Sequence, residues 1–239
     1  GRTPVDTLVL SNLRRPDIIE RVRASCINGR QAYWVCTLIE ESDVLEAQAA
    51  EVTASELKLL LPELSIGLIH GRLKPREKLT LMEDFKAGKI NLLVATTVIE
   101  VGVDVPNASL MIIENSERLG LSQLHQLRGR VGRGSQASHC VLLYSSPLSG
   151  NGSARLKIMR ETTDGFKISE KDLELRGPGE VLGTRQTGDM RLHIADLQRD
   201  AHMLPQIKSI AEQLLINHPK SVDPLIRRWL GHNQQYAQA

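Results

Sequence analysis

No stretch of this 239-residue sequence stays apolar for the roughly 20 residues that a membrane-spanning helix needs, and no charged-apolar-small leader pattern opens it. A soluble body without a membrane partner is expected. Cysteine is scarce. Cys26, Cys36 and Cys140 lie far apart, with no CxxC or histidine spacing to suggest a metal site, and an odd count argues against a disulfide framework. That usage fits a reducing, cytoplasmic compartment. Excess charge is missing as well: 30 Lys+Arg oppose 28 Asp+Glu for a net charge of +2, so any surface that meets a polyanion must be local. There is no internal repeat and no low-complexity block. A phosphate-cradling GxxxxGK followed by Ser or Thr is absent, since Gly88-Lys89 runs into Ile90 and reads as a helix stop. An initiator methionine is absent too: the chain enters a strand-like segment almost at Gly1, as a piece cut from something longer would.

What is present is an apolar fraction of 41%, enough for a real core, in a βα rhythm. Short β-rich apolar runs at Thr7–Leu10, Ala32–Thr37, Ile66–His70, Leu92–Ala95, Leu110–Glu114 and His139–Tyr144 predict strands. Between them, helices are predicted near Pro16–Cys26, Asp43–Leu61, Pro75–Ala87 and Ser122–Arg128. Pro16 and Pro75 suit first helical turns, and Gly29 and Gly88 suit helix ends. The alternation implies a parallel sheet covered on both faces. The run 145–153, rich in Ser, Gly and Pro, breaks the rhythm near residue 148. Beyond it come predicted helices at Ala154–Thr162 and Ser169–Leu175 flanking Asp164-Gly165, then a glycine-rich stretch, 176–188. The tail from Ile194 to Trp229 reads as helical segments broken by Pro205 and Pro224. The expected organisation is therefore an α/β lobe over residues 1–147, a helical hairpin with its loop over 148–190, and a helical tail over 191–239.

The strongest chemical signal is Gln126-Leu127-Arg128-Gly129-Arg130-Val131-Gly132-Arg133, at the end of a predicted helix. Arg130 and Arg133, three apart, would project the same way from a helical turn, and guanidinium groups hold phosphate bidentately while staying charged. The same spacing also suits a solvated basic helix end. The second signal is Leu92-Leu93-Val94-Ala95-Thr96-Thr97, a buried strand running into two hydroxyls, followed by Glu100-Val101-Gly102-Val103-Asp104-Val105-Pro106. Loops at the carboxyl ends of parallel strands bind ligands. Thr96 and Thr97 could donate to nucleic-acid phosphates or merely cap the next segment. Gly102 would let backbone pass close to a ligand, and Asp104 would accept from a ribose hydroxyl.

These segments resemble those of the superfamily 2 helicases: Gln126–Arg133 is similar to their QxxGRxGR motif VI, and Leu92–Asp104 to motif V. Tyr33-Trp34-Val35-Cys36-Thr37 resembles motif IV, and Ile69-His70-Gly71-Arg72 the segment that touches the nucleic-acid backbone. The resemblance implies a RecA-like lobe of the P-loop NTPase type, here without its own P-loop. It implies that Arg130 and Arg133 reach the ATP γ-phosphate, that Gln126 orients the site, and that Thr37, His70, Gly71, Thr96 and Thr97 meet DNA. Asp164-Gly165-Phe166, Lys171–Glu180 and Gly183-Thr184-Arg185-Gln186-Thr187-Gly188 resemble the TRG motif, shared by the RecG family and the transcription-repair coupling factor. In that motif a helical hairpin and loop are implied to couple lobe closure to movement on duplex DNA, with Arg155, Arg176 and Gln186 at the polar anchors. The segments Gly29–Ser42 and 183–188 favour the RecG family. Trp229 and Tyr236 suit either tail packing or contact with an N-terminal part.

The resemblance thus implies the second lobe of an ATP-dependent, bacterial, cytoplasmic and monomeric DNA translocase. Its partners would be double-stranded and branched DNA, such as replication forks and Holliday junctions, and its work fork regression, branch migration, recombination and repair. ATP and Mg2+ are expected in the full-length protein and none in this chain alone. A first lobe would supply the P-loop and an acidic box, for which Glu40-Glu41 and Glu83-Asp84 lie in the wrong context, and a wedge domain would lie elsewhere. Hydrolysis by this chain alone is expected to be weak or absent. Two rivals remain at this level: the corresponding lobe of the coupling factor, and a non-catalytic helicase-like module that only binds DNA or a partner protein.

Overall fold

A computed structural model describes residues 4–37, 43–97, 104–176, 203–222 and 224. The order is β1 (Val5–Ser11), a 3-10 turn (Asn12–Arg14), α1 (Arg15–Ile27), β2 (Gln31–Val35), α2 (Asp43–Leu60), β3 (Ile66–Ile69), α3 (Pro75–Lys86), β4 (Leu92–Ala95) and β5 (Ala108–Ile113). A 3-10 turn (Ser116–Arg118), α4 (Leu121–Arg128), β6 (Ser138–Tyr144), α5 (Gly150–Glu161), α6 (Gly165–Arg176) and α7 (Leu204–Asn217) follow. The six strands form one sheet in the order β1-β6-β5-β2-β4-β3, and every pairing is parallel.

Burial on both faces explains why β2 and β4 read as continuous apolar runs without alternation. On one face Trp34, Val94, Ile112 and Val141 meet Ile18 and Val22 of α1 and Ala54 and Leu57 of α2. In α2 the buried positions Ala47, Ala50, Ala54, Leu57 and Leu61 step by three and four residues, the spacing that keeps one helix stripe on a sheet. On the other face the next residue along β2, Tyr33, meets Phe85 of α3 edge-to-face at 4.9 Å. Proline occupies the first turns of α1 and α3, where its missing N–H costs nothing, and the chain leaves both helices through left-handed glycines, Gly29 (φ 82°) and Gly88 (φ 79°).

The chain divides into two compact units, Gly1–Asp172 and Leu173–Ala239. Helix α5 belongs with the sheet: it packs on β1, on the 116–118 turn and on α4, burying Leu156 and Met159. The composition break near residue 148 is therefore a turn inside the first unit, where the Ser149 hydroxyl accepts from the Gly152 N–H to cap α5. In the second unit α7 starts with Pro205 in its first turn, so that proline opens a helix instead of breaking one, and α7 exposes Ile207, Ile210, Leu215 and Ile216. Among the described residues no helix is long and apolar enough to cross a membrane. Gly102, Gln186, Trp229 and Tyr236 lie outside the described residues, as does the side chain of Arg176, the last residue of α6.

Candidate functional site at two edges of the sheet

Because all strands run the same way, each crossover carries the chain from the carboxyl edge of the sheet back to the amino edge. Three of the sequence-predicted residue groups fall on the carboxyl edge: Thr37 after β2, His70-Gly71 after β3, and Thr96-Thr97 after β4. Strands β3 and β4 are neighbours, and the Thr96 N–H donates to the Ile69 carbonyl at 3.2 Å, which holds the His70 and Thr96 segments together. Thr96 is 1% exposed and its hydroxyl has no hydrogen-bond partner among the described residues. His70 Nδ1 is likewise buried without a partner, while its Nε2 lies 3.8 Å from a Glu51 carboxylate oxygen. The two atoms stand at neighbouring strand ends on the carboxyl edge.

Thr37 behaves differently. Its hydroxyl donates to the Glu114 carbonyl at 2.7 Å and lies 3.2 Å from that of Asn115, and the residue is 4% exposed. Its one proton ties the end of β2 to the end of β5. Gly71 is exposed with open space around its Cα, so its backbone is accessible. Immediately after it, Arg72, Lys74 and Arg76 are exposed at the mouth of α3, whose first turn is set by the Lys74 N–H donating to Glu77 at 2.9 Å. Arg72 belongs to the segment that resembles a nucleic-acid contact; Lys74 and Arg76 are hidden in the sequence because the balanced total charge masks a local cluster. The signal that finds them is four cations within residues 72–78, directly downstream of a strand end.

Arg130, Arg133 and Asp104 sit at the opposite edge. Strand β4 ends at Ala95 and β5 begins at Ala108 parallel to it, so Thr96 and Asp104 stand at opposite edges of the sheet. The expectation that both flank a carboxyl-end loop is corrected by this geometry. Helix α4 likewise begins beyond the carboxyl end of β5 and returns to the amino end of β6. It stops at Arg128, so Arg130 and Arg133 lie in the turn beyond it and not on the helix. There the Arg130 N–H donates to the Leu127 carbonyl at 3.0 Å, and Gly132 reverses the chain at φ 80°. Arg133 Nη1 donates to the Asp104 carboxylate, and its Nε donates to the Gly129 carbonyl at 3.3 Å. A Cβ on Gly134 would collide with the Pro106 carbonyl oxygen, so a glycine there lets the Arg133 turn lie against the Asp104 segment. Gln126 is exposed on α4. Burial pushes the Tyr33 hydroxyl up to about 12, an effect that Arg130 and Arg133 oppose, which puts both guanidinium groups within electrostatic reach of one tyrosine. The donor set suits a nucleotide: two cations for phosphate oxygens and an exposed carboxylate for hydroxyls.

One arginine of the same motif was overlooked in the sequence. Arg128 is 3% exposed and donates to the carbonyls of Met159 (2.8 Å) and Thr162 (2.9 Å) and to the Thr7 hydroxyl at 3.3 Å, with His125 Nδ1 3.1 Å away. Burial holds its pKa below the usual arginine range. Its signal was periodic: Leu121, Leu124 and Arg128 fall at i, i+3 and i+7, the buried stripe of α4. Arg155 is also fastened inward, donating from Nη2 to the Glu117 carbonyl at 2.7 Å, and its Nε is buried without a partner among the described residues.

Residues 16–135 match the helicase conserved C-terminal domain family, and residues 162–229 match the family of the C-terminal part of domain 3 of the ATP-dependent DNA helicase RecG. The chain is 62% identical over 240 residues to the ATP-dependent DNA helicase RecG of Escherichia coli O157:H7. The alignment covers 100% of this chain and 35% of that protein, so the chain spans about a third of that relative's length. Among solved structures, a RecG bound to a three-way DNA junction is similar with a TM-score of 0.66 and 41% identity, over 85% of this chain and 26% of that one. Domain 2 of the DEAD-box helicase Mss116p, solved on an RNA duplex, reaches a TM-score of 0.53 at 16% identity over 72% of this chain and 69% of that one, a likeness of fold alone. The six-stranded parallel sheet with helices on both faces is that of RecA-like helicase C-terminal lobes. The choice between RecG and the coupling factor thus falls to RecG, and the chain belongs to the RecG family of helicases, corresponding to its C-terminal part.

Proposed function

We propose that the full-length protein is an ATP-dependent translocase on double-stranded DNA, and that this chain is its second motor lobe. The observation that carries this reading is the separation of two chemistries across one sheet. Arg130, Arg133 and Asp104 gather at the amino edge, while the orphaned Thr96 hydroxyl and His70 Nδ1 lie at the carboxyl edge beside Arg72, Lys74 and Arg76. ATP gripped by a first lobe, with its Mg2+, supplies a γ-phosphoryl group whose transfer to water builds negative charge on its oxygens. Arg130 and Arg133 stabilise that charge, Gln126 orients the site, and Gly102 and Asp104 face the nucleoside side. At the other edge His70, Gly71, Thr96 and Thr97 meet the phosphate backbone of duplex DNA. The helical pair α5–α6 with Arg155, Arg176 and Gln186 then converts closure of the two lobes into movement along the duplex.

The RecG solved on a three-way junction makes branched duplex the substrate class to test, and we extend the reading to stalled forks and Holliday junctions remodelled in recombination and repair by a cytoplasmic monomer. Replacing Arg133 with Ala in the full-length protein tests it. DNA-stimulated ATP hydrolysis should fall by about 10³-fold or more, the scale of an arginine finger, with junction binding retained. Unchanged hydrolysis would refute the assignment.

A further inference from the structure

Arg128 is a charge that a passive core position would not need. It lies two residues before Arg130, and among the described residues it forms no ion pair; its donors go to neutral oxygens and to His125. Two of those oxygens, the Met159 and Thr162 carbonyls, belong to the carboxyl end of α5, whose last carbonyls lack helical partners. His125, one turn earlier on α4, lies against the start of α6: a Cβ on Gly165 would stand 3.0 Å from its Nε2. Both sides of the turn that joins α5 to α6 are therefore seated on α4, the end of α5 through Arg128 and the start of α6 through His125.

We propose that Arg128 is a positioning residue, the joint through which the phosphate-facing turn carries the α5–α6 pair. This rests on the function proposed above. Arg130 and Arg133 follow α4 directly, so a shift of their turn toward a phosphate on another lobe moves α4. Arg128, buried and bonded to two carbonyls, passes that shift to the helical pair instead of letting it slip. An apolar side chain of similar size would fill the space but would leave the two carbonyls of α5 without a donor, and α5 free to slide on α4.

The test is made on the full-length protein, comparing base pairs of a synthetic fork unwound with ATP molecules hydrolysed. Arg128→Ala should lower base pairs unwound per ATP by about tenfold while DNA-stimulated hydrolysis stays within about twofold of wild type. Arg128→Lys, which keeps a charged donor for the two carbonyls, should regain part of the lost ratio. A folded Arg128→Ala protein with the wild-type ratio overturns the proposal, and so does hydrolysis that falls in step with unwinding. If Arg128→Ala fails to fold, Gly165→Ala decides by the same ratio, because it presses on His125 and leaves Arg128 in place. Absence of ATP-driven fork unwinding in the wild-type protein would instead refute the functional reading on which the proposal rests.

Discussion

The two edges of this sheet are built on opposite terms. At the amino edge the arginines of the α4 segment are held by protein groups: Arg133 is paired with Asp104 and with the Gly129 carbonyl, and Arg128 spends its donors on α5. At the carboxyl edge Thr96 Oγ1 and His70 Nδ1 are buried without partners among the described residues, beside exposed cations. Under the proposed function, a lobe that borrows a phosphate from another lobe must keep its guanidinium groups in check until that phosphate arrives, and the Asp104 carboxylate paired with Arg133 would do so here. A lobe that meets a continuous polyanion needs donors already in place, since a backbone phosphate lies wherever the strand is gripped. On that reading the difference teaches that the amino edge suits a conditional ligand and the carboxyl edge a constant one.

The largest effect expected is the one that cleaves this comparison cleanly. Arg130→Ala in the full-length protein should reduce DNA-stimulated hydrolysis by about 10³-fold and leave junction affinity at fixed salt within about twofold. Loss of affinity equal to the loss of hydrolysis would mean that the two edges are not separate sites. Next in size is Gly134→Ala. The new Cβ would drive into the Pro106 carbonyl, so either the Arg133 turn or the Asp104 segment must retreat. Overpacking of that kind costs about 1–3 kcal/mol, seen as a lower midpoint in thermal or denaturant melting. An unaltered midpoint would show that the Arg133 turn is loose against Asp104.

Much of this architecture was legible in the residues. The six strands and the helices between them follow from apolar runs punctuated by Pro16, Gly29, Pro75 and Gly88, because local propensity and tertiary packing agree there. What linear order hides is the side of the sheet on which a residue emerges. Thr96 and Asp104 are eight residues apart and read as one motif, yet the crossover between parallel strands sends them to opposite edges. Arg130 and Arg133 read as helical because their spacing is three, but Gly129 ends α4 and Gly132 turns the chain. Arg128 is hard to place because arginine is expected outside, and the resemblance that assigns Thr37 to DNA does not show that its hydroxyl is bonded to the Glu114 carbonyl.

Smaller, and sharper as a comparison, is one substitution made on two strands. Thr37→Val removes a hydroxyl that is bonded to Glu114 and should destabilise the fold by about 1 kcal/mol without changing DNA affinity. Thr96→Val removes a hydroxyl with no partner among the described residues, so stability should hold or rise slightly, while junction affinity measured in a salt titration should weaken by about 1 kcal/mol. Matching behaviour of the two variants would erase the distinction between a structural and a ligand-facing threonine on the carboxyl edge.

The smallest effect is silent at neutral pH and concerns how far the amino edge reaches. The Tyr33 hydroxyl is pushed from 10 up to about 12 by burial, while Arg130 and Arg133 pull it down. A raised pKa on an acidic group favours the folded state only while that group is neutral. The unfolded chain releases the proton near 10 and the folded chain near 12. Stability contributed by the buried phenol is therefore full below pH 10 and is lost at about 1.4 kcal/mol per pH unit through that window. Tyr33→Phe should flatten this alkaline limb in denaturant melts relative to wild type, since the buried cysteines titrate alike in both proteins and cancel in the difference. Replacing Arg130 and Arg133 with Ala together should extend the limb to higher pH and deepen it, with its onset near pH 10 unchanged, whereas Thr96→Val should leave its extent as it is. If the double variant leaves the limb where it was, the two guanidinium groups do not converge on Tyr33, and the amino edge is a looser site than its hydrogen bonds imply.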